Sequence, residues 1–541
     1  MFLNKLFFKY NLNSIPRRGF RKFCVEIHFL MLLMVSTNLV SQPIIDWHKT
    51  YGGSYWDESL CIQQTSDGGY ITVGRTGSSN GDIFGHRGGF DIWILKLNNS
   101  GSIEWKKVLG GTGTDIAYTV FQTNDGGYFI SSYTSSNNYD VLGNHGGDYD
   151  GWVVKLSSTG NIEWQKALGG SGWDAIWSSK QTDDNGFILA GRSNSSDGDV
   201  SENKGTFDYW IVKLDENGAI EWSKTFGGSM EDIGKTVMQT EDGGYLVAGE
   251  SASTDGDMTA SLHGNYDIWL IKLSGSGEME WQQSYGGSAF ETPSEIISAN
   301  DEGYVITGYT GSPDGDVTGN HGILDVWVIK ISNTGELIWQ NALGGNQPDW
   351  GRAIVPAVNG GYIVAGTTHS SNGDVVGNDG GSEFWLVKLS EEGELIWQQT
   401  YGGSMPDECF SIDNTTDNGF ILSGFTWSTD GDLAGSENKG YNDYCIIKLN
   451  PEPLSGTLSP LQIPGHLEIY PNPASQYISL KTPKDSPPIQ IKILDVLGRE
   501  VLQEDISNEE QISVQSLPNG IYTVLASTLD GKEYVGKVQK Q

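Results

Sequence analysis

Acidic residues recur at three fixed positions along most of this chain, and carboxylates spaced so regularly could bind hard cations. The positions are counted from a pair of adjacent glycines that occurs seven times, first at Gly52 and last at Gly402, with 58 or 59 residues between successive pairs. The first acidic set stands five residues after the first glycine of each pair: Asp57, Asp115, Asp174, Asp232, Glu291, Asp349 and Asp407. The second acidic set stands thirty residues after it: Asp82, Asp140, Asp199, Asp257, Asp316, Asp374 and Asp432. The third acidic set directly precedes an apolar run: Asp91, Asp150, Asp208, Asp267, Asp325, Glu383 and Asp443.

Calcium is the cation that such carboxylates would suit, because Ca²⁺ accepts several oxygen ligands from carboxylates and loop carbonyls. The candidate metal ligands in the first two repeats are Asp57, Asp82, Asp91, Asp115, Asp140 and Asp150. The spacing differs from that of an EF-hand loop, and Asp in turns commonly accepts hydrogen bonds from nearby backbone N–H groups. Two interpretations therefore stay open, turn-forming acids and a calcium site, and the sequence suggests no other cofactor.

Tryptophans that depart from the repeat are the candidate ligand-binding residues. Thirteen of the 18 tryptophans recur at two strand positions and are expected in the core. The candidates outside that pattern are Trp56, Trp173, Trp350 and Trp427, and Trp177 also departs from it. Aromatic side chains in loops can stack on sugars or anchor a protein partner. Partial burial between neighbouring repeats is the alternative.

Catalytic motifs are missing from the sequence. We find no GxSxG, HExxH, CxxC or phosphate-binding loop pattern. A carboxylate pair for glycoside hydrolysis cannot be singled out either, because every repeat offers similar acids. We therefore nominate no catalytic residue.

Each repeat predicts four antiparallel strands, which position these residues. In the first copy the predicted strands are Ser59–Thr65, Tyr70–Thr76, Asp91–Leu97 and Ser102–Leu109, with a tight turn at the Asp-Gly-Gly of residues 67–69. Seven four-stranded units predict an all-β, seven-bladed β-propeller over residues 43–450. The loops that hold the three acidic sets leave a blade at the same end, so we expect all of them at one face.

The ends of the repeat region indicate a closed ring. The last copy stops at Leu449, after its third strand, and the missing fourth strand matches Ile44–Lys49 at the amino end. An open array of repeats would have no use for this division. Cys61, Cys409 and Cys445 allow at most one disulfide; a bridge between the first two and three free thiols both stay open.

The repeat resembles the SBBP-type bacterial β-propeller repeat and the related delta-60 repeat. The residues that carry the resemblance are D-x-W-[IV]-x-K-L, G-x-I-E-W and L-G-G, as in Asp91–Gly111. The resemblance implies a propeller fold and an extracellular setting, but no particular activity.

The carboxyl end predicts a second, small domain. A Pro-containing linker, residues 451–465, precedes residues 466–541, which we expect to form an Ig-like β-sandwich. IYPNPA at 469–474, ILDVLGREV at 493–501 and LPNGIYTV at 517–524 resemble the type A C-terminal sorting domain of the type IX secretion system. This resemblance implies that the type IX machinery is a partner and that the protein is secreted or held on the outer surface of a Gram-negative bacterium.

The amino end and the net charge limit the setting further. Basic residues followed by the apolar run Phe29–Val40 predict a signal peptide over residues 1–42, with an uncleaved anchor as the alternative. The net charge of −35 argues against nucleic acid as a partner, because phosphate binding needs a basic face.

Taken together, the sequence favours an exported propeller that binds a glycan or a surface protein, or acts as a scaffold, without catalysis. The alternative is an extracellular carbohydrate-active enzyme, a glycosidase or lyase of endoglucanase-like type, with an acidic site on the loop face. An active site should be asymmetric, so any activity is expected where the blades differ.

Overall fold

The computed structural model describes residues 42–378, 380–452, 465–481, 488–494, 500–505, 512–528 and 533–541. The chain divides into two compact units, one ending at residue 453 and the other beginning at residue 454. The predicted signal segment lies outside the described residues up to residue 41, as does most of the predicted linker.

The first unit is a seven-bladed β-propeller built from seven four-stranded antiparallel sheets. Its strands are β1 Ile45–Tyr51, β2 Asp57–Gln64, β3 Tyr70–Thr76, β4 Asp91–Leu97, β5 Ile103–Leu109, β6 Asp115–Gln122, β7 Tyr128–Thr134, β8 Asp150–Leu156, β9 Ile162–Leu168, β10 Asp174–Gln181, β11 Phe187–Ser193, β12 Asp208–Leu214, β13 Ile220–Phe226, β14 Asp232–Gln239, β15 Tyr245–Ser251, β16 Asp267–Leu273, β17 Met279–Tyr285, β18 Glu291–Ser298, β19 Tyr304–Thr310, β20 Asp325–Ile331, β21 Leu337–Leu343, β22 Asp349–Pro356, β23 Tyr362–Thr368, β24 Glu383–Leu389, β25 Leu395–Tyr401, β26 Asp407–Asn414, β27 Phe420–Thr426 and β28 Asp443–Leu449. Blades 1 to 6 are consecutive groups of four strands from β2 to β25. Blade 7 contains β26, β27, β28 and β1. A single 3₁₀ turn, Gly431–Leu433, is the only helical element of the described residues.

The strands of a blade differ in burial according to their distance from the axis. The third strand, such as β4, is buried along its whole length because neighbouring blades cover both of its faces. The fourth strand, such as β5, is an outer edge and alternates between exposed and half-buried residues. The first strand begins at Asp57, two residues earlier than predicted, because Asp57 already pairs with Thr76.

The ring closes through the amino-terminal strand. Strand β1 pairs antiparallel with β28, from Ile45 opposite Leu449 to Tyr51 opposite Tyr444. Tyr401 donates its hydroxyl to the carbonyl of Pro43 at 2.6 Å, which ties the entering chain to blade 6. Cys61, Cys409 and Cys445 are all free thiols.

The repeated tryptophans fall into two groups that differ in burial. Those of the third strand are fully buried, as predicted: Trp93, Trp152, Trp210, Trp269, Trp327 and Trp385. Of the fourth-strand tryptophans, which were also predicted to lie in the core, only Trp397 is fully buried; the others are half-buried and pack against the edge of the core, because that strand is the outer one. They also cover a glycine turn of the next blade, as Trp47 covers Gly101.

The second unit is a small all-β domain of two sheets. Its strands are β29 Gly465–His466, β30 Glu468–Tyr470, β31 Tyr477–Lys481, β32 Pro488–Leu494, β33 Glu500–Asp505, β34 Ile512–Ser513, β35 Gly520–Thr528 and β36 Glu533–Lys540. One sheet has the order β29-β36-β35-β32-β33 and the other the order β30-β31-β34. Residues from both, including Ile478 and Val524, share one hydrophobic core, which is the arrangement of a small sandwich.

Candidate functional site

The first acidic set is fully buried and holds the Gly-Gly turn together. Asp57 accepts hydrogen bonds from the backbone N–H of Gly53 at 2.8 Å, from Ser78 Oγ at 2.9 Å and from Thr76 Oγ1. Asp115 accepts the equivalent three bonds in blade 2. Burial raises the pKa of both carboxyls, and the hydrogen bonds oppose that rise. These acids therefore stabilise the loop in the way that the turn-forming interpretation requires.

The third acidic set meets the first across each blade boundary. A Cβ built on Gly110 would lie 2.5 Å from Asp91 Oδ1 and 2.6 Å from Asp115 Oδ2, so only glycine fits between the two carboxylates. Asp91 Oδ2 accepts the N–H of Arg87 at 2.6 Å, whereas its buried Oδ1 has no hydrogen-bond partner. The same oxygen has no partner in four other blades: Asp150, Asp208, Asp325 and Asp443.

Burial and the facing carboxylate raise the pKa of these partnerless acids. The pKa of Asp91 rises to about 6, first because of burial and then because of the charge of Asp115. That of Asp443 rises to about 7, with burial again the main cause and Asp57 a further one. Each boundary therefore holds a pair of carboxyl groups that disfavours two full charges.

The second acidic set is partly exposed and lies beside basic or imidazole side chains of the neighbouring loop. Asp82 accepts the N–H of Gly52 at 3.1 Å and pairs with Lys439 at 2.7 Å. The equivalent pairs at other boundaries are Arg87 with Asp140, Lys204 with Asp257, His145 with Asp199 and His321 with Asp374. These partners were not predicted from the sequence, although a basic residue or histidine precedes the third-set acid by four or five positions in six of the seven repeats.

The six candidate metal ligands do not form one site. Asp57 and Asp82 lie at the boundary of blades 7 and 1, whereas Asp91, Asp115 and Asp140 lie at that of blades 1 and 2. Asp150 lies at the next boundary, where His145 donates to it. Among the residues that the structure describes, no group of three or more His, Cys, Asp or Glu side chains is arranged to hold a metal ion. Calcium binding therefore stays a prediction.

A ring of seven β-bulge residues is the feature in which the blades differ. The first strand of every blade has one extra residue relative to the second strand, between Ser59 and Cys61 in blade 1. The extra residues, which we call the bulge ring, are Leu60, Tyr118, Trp177, Lys235, Ser294, Arg352 and Phe410. Gly74 opposes the first bulge, since a Cβ there would lie 1.9 Å from the carbonyl oxygen of Glu58. Bulges re-aim side chains and are enriched beside functional sites.

The whole bulge ring lines one cavity of about 480 Å³. A cavity that every blade lines must lie on the propeller axis, so the ring surrounds the central channel. A second cavity of about 340 Å³ adjoins it and shares Glu58, Arg75 and Phe410 with it. Together the two cavities form the candidate site.

Ion pairs neutralise most of the charges that line this site. Arg75 pairs with Glu58 at 2.6 Å, and Asn442 donates to the same carboxylate at 2.9 Å. Lys235 pairs with Glu250 at 3.2 Å. Burial raises the pKa of Glu408, and the charge of Arg352 partly offsets this rise.

The structure divides the four candidate tryptophans. Trp56 and Trp427 line the second cavity together, Trp56 from blade 1 and Trp427 from blade 7. Trp173 instead packs between Tyr149 and Phe207 under the guanidinium of Arg192. Trp350 contacts His369 and Arg352. The fifth irregular tryptophan, Trp177, belongs to the bulge ring, although it was not among the four candidates.

Comparisons with known proteins assign a family to the carboxyl-terminal part of the chain. Residues 468–541 match the family described as the secretion system C-terminal sorting domain. The regulatory protein FlaEY of Caulobacter vibrioides is 22% identical over 292 residues, which cover 49% of this chain and 30% of that protein. The chain thus spans less than a third of that relative's length.

Similar solved structures include two proteins of low sequence identity. The WD40 domain of Neurospora crassa Pan2 is 11% identical, with a TM-score of 0.40, over 73% of this chain and 89% of that one. Sqt1 from Chaetomium thermophilum is 11% identical, with a TM-score of 0.37, over 76% of this chain and 100% of that one.

The chain is thus an all-β protein of the propeller class that carries a sorting domain. This domain marks it for export by the type IX secretion system, to the cell surface or the medium. It also implies an interaction with the type IX machinery. Within the described ranges, no helix has the length and apolar character needed to cross a membrane.

Proposed function

We propose that this protein binds a ligand at the bulge ring, as a secreted or surface-attached binding or scaffold protein without catalytic activity. The observation that carries the proposal is the difference between blades that are otherwise alike. The residues that hold the blades together repeat from copy to copy, whereas the seven bulge residues are all different in type. A repeated framework with one variable ring is what a specific binding site requires.

The proposed ligand is a glycan or a protein outside the cell. We further propose that residues 1–42 act as a signal peptide for the inner membrane, and that the domain from about residue 466 onward acts at the outer membrane. The cavity volume lies within the range of typical small-molecule sites, roughly 300–1,000 Å³. The cavity can therefore hold a small part of a larger ligand, such as one sugar unit or one side chain.

A binding screen with the full chain tests the proposal. The chain is applied to a glycan array and to an array of bacterial and host surface proteins. Phe410→Ala and Tyr118→Ala should weaken any specific interaction by about tenfold or more, because both remove aromatic contact area from the cavity wall. Phe84→Ala, at a loop residue that is 74% exposed, is the matched control and should leave binding unchanged. A ligand that binds both ring variants as tightly as it binds the parent would contradict the proposal.

A glycosidase is the second candidate, and one observation favours it. Glu58 and Glu408 line the same cavity, and burial raises the pKa of Glu408 while Glu58 is held in an ion pair. Two carboxyl groups in such different environments are the arrangement of a general acid and its ionised partner. Release of reducing ends from polysaccharides, abolished in Glu408→Gln, would establish this activity. Unchanged release in that variant would exclude Glu408 as the acid.

A further inference from the structure

One cation of the bulge ring, Arg352, forms no ion pair among the residues that the structure describes. Arg75 and Lys235, by contrast, each pair with a glutamate. The buried Nε of Arg352 also has no hydrogen-bond partner. The charge of Arg352 lowers the pKa of Glu408, but no ion pair joins the two side chains. A half-buried guanidinium with an unsatisfied N–H destabilises the folded protein. Its presence in the cavity therefore indicates that it binds a ligand.

Aromatic rings fix the position of this guanidinium. Its central carbon lies 5.2 Å from the ring centre of Trp350 and 5.6 Å from that of Phe410. A guanidinium supported on aromatic rings keeps its N–H groups available for hydrogen bonds. Its planar, forked donors match the two oxygens of a carboxylate better than any neutral group does.

Cations cover the aromatic rings of the cavity wall, whereas the aromatic rings of a sugar-binding site are open for stacking. Trp177, the largest aromatic residue of the ring, has Lys235 Nζ at 4.7 Å and the guanidinium of Arg192 at 5.2 Å from its ring centre. Phe410 is covered in the same way by Arg352. Neutral sugars, which stack on open aromatic faces, therefore find little suitable surface here.

The shape of the cavity favours a peptide over a polysaccharide chain. Residues from all seven blades line it, so a ligand must enter along the propeller axis. An internal stretch of a linear polyuronate would need a groove open at two sides. A chain terminus or a protruding acidic side chain fits an axial entrance.

We propose that Arg352 binds the carboxylate of a protein segment, an acidic side chain or a carboxyl terminus, that enters the bulge ring end-on. The inference rests on the proposed binding function and names the ligand chemistry of that same site.

The test uses the full chain and synthetic peptide libraries of ten random residues. One library has free carboxyl termini, a second has amidated termini, and a third has amidated termini and lacks Asp and Glu. Oligouronates and neutral oligosaccharides are measured in parallel. We expect enrichment from the first two libraries and none from the third. The best peptides should bind Arg352→Gln at least tenfold more weakly, and Arg352→Lys with an intermediate loss.

Two controls separate a local effect from a general one. Lys106→Gln removes the same charge from an exposed residue of outer strand β5 and should bind like the parent. An unchanged melting temperature of Arg352→Gln shows that the fold is intact, and Arg352→Lys covers the case in which it is not.

The failures of this inference and of the proposed function are distinguishable. Equal enrichment from the third library, or peptide binding that both Arg352 variants leave unchanged, would overturn the inference. Oligosaccharide binding without peptide binding would overturn the inference and leave the binding function standing. The absence of binding to every probe would overturn both.

Discussion

We predict that removing the charge of Asp91 stabilises the propeller, because the buried Oδ1 of this carboxylate has no hydrogen-bond partner at the blade boundary. Asp91 and Asp115 face each other across Gly110, fully buried, and only Asp115 has its full set of hydrogen bonds. In Asp91→Asn the side-chain oxygen can keep the bond from the Arg87 N–H. The new amide nitrogen takes the place of Asp91 Oδ1, which lies on the same side of Gly110 as Asp115 Oδ2, so a donor replaces one of two neighbouring acceptors.

The magnitude follows from the pKa of Asp91. A rise from 3.8 to about 6 means that the ionised form costs the folded state about 3 kcal/mol at neutral pH. Because the folded form binds the proton more tightly than the unfolded form, this cost is present above pH 6. It disappears as the pH falls from about 6 to about 4. For a unit of this size, recovery of that energy should raise the melting temperature by about 3 °C at pH 7.5 and by almost nothing at pH 4.

Calorimetry of the parent and the variant at both pH values, in EDTA, provides the measurement. Asp115→Asn is the matched control, since it removes the same charge from the same pair. An amide has one acceptor oxygen for the donors of Thr134, Ser136 and Gly111, so this variant should lose about 1–3 kcal/mol. A fall in the melting temperature of Asp91→Asn at pH 7.5, or an equal rise at both pH values, would refute the reasoning. If Ca²⁺ stabilised the parent more than matched Mg²⁺ did, and Asp91→Asn abolished that difference, the predicted cation site would gain support instead.

Three further predictions concern export, ring closure and the core. Deletion of residues 454–541 should leave the propeller folded but retained in the periplasm, as cell fractionation would show; normal surface levels would contradict the sorting role. Deletion of Ile45–Tyr51 removes the fourth strand of blade 7 and exposes the edge of β28, so thermal scans and light scattering should show a marked loss of stability with aggregation; a variant as stable as the parent would argue against closure. Trp93→Ala should cost about 3–5 kcal/mol in denaturant unfolding, because Trp93 is fully buried beside Tyr444; Phe84→Ala should cost less than about 0.5 kcal/mol, and equal losses would refute this packing argument.

The repeat made the fold predictable, because seven copies of one pattern average out the ambiguity of any single strand. The bounds predicted for strands two and three of the first copy agree with the structure, and the ring of seven blades follows from their number. The fourth-strand tryptophans are less buried than predicted, because they pack against the core from a strand that is an outer edge.

The candidate site was harder to predict, and the bulge explains why. Side chains of a strand alternate between its faces, so the face of a residue is normally known from its position. An extra residue such as Trp177 breaks that alternation, and the residue types at this position share no property that would reveal it. The meeting of Trp56 and Trp427 depends on ring closure, which brings together residues far apart in the chain. The loop cations such as Arg87 were predictable in principle, but their role needed the distances to the acids.

The pairing of β1 with β28 has a consequence for the time course of export and folding. These strands are joined across about 400 residues, Ile45 to Leu449, so their contact has the largest sequence separation in the propeller. Contacts of this kind form late, because the intervening chain must be ordered first. If the proposed signal peptide directs export with the amino end first, β1 has no strand to pair with until the last blade has followed. Such a molecule passes through a stage with one unpaired strand at each end of an incomplete ring. A periplasmic chaperone would act at this stage, and strands could be exchanged between molecules.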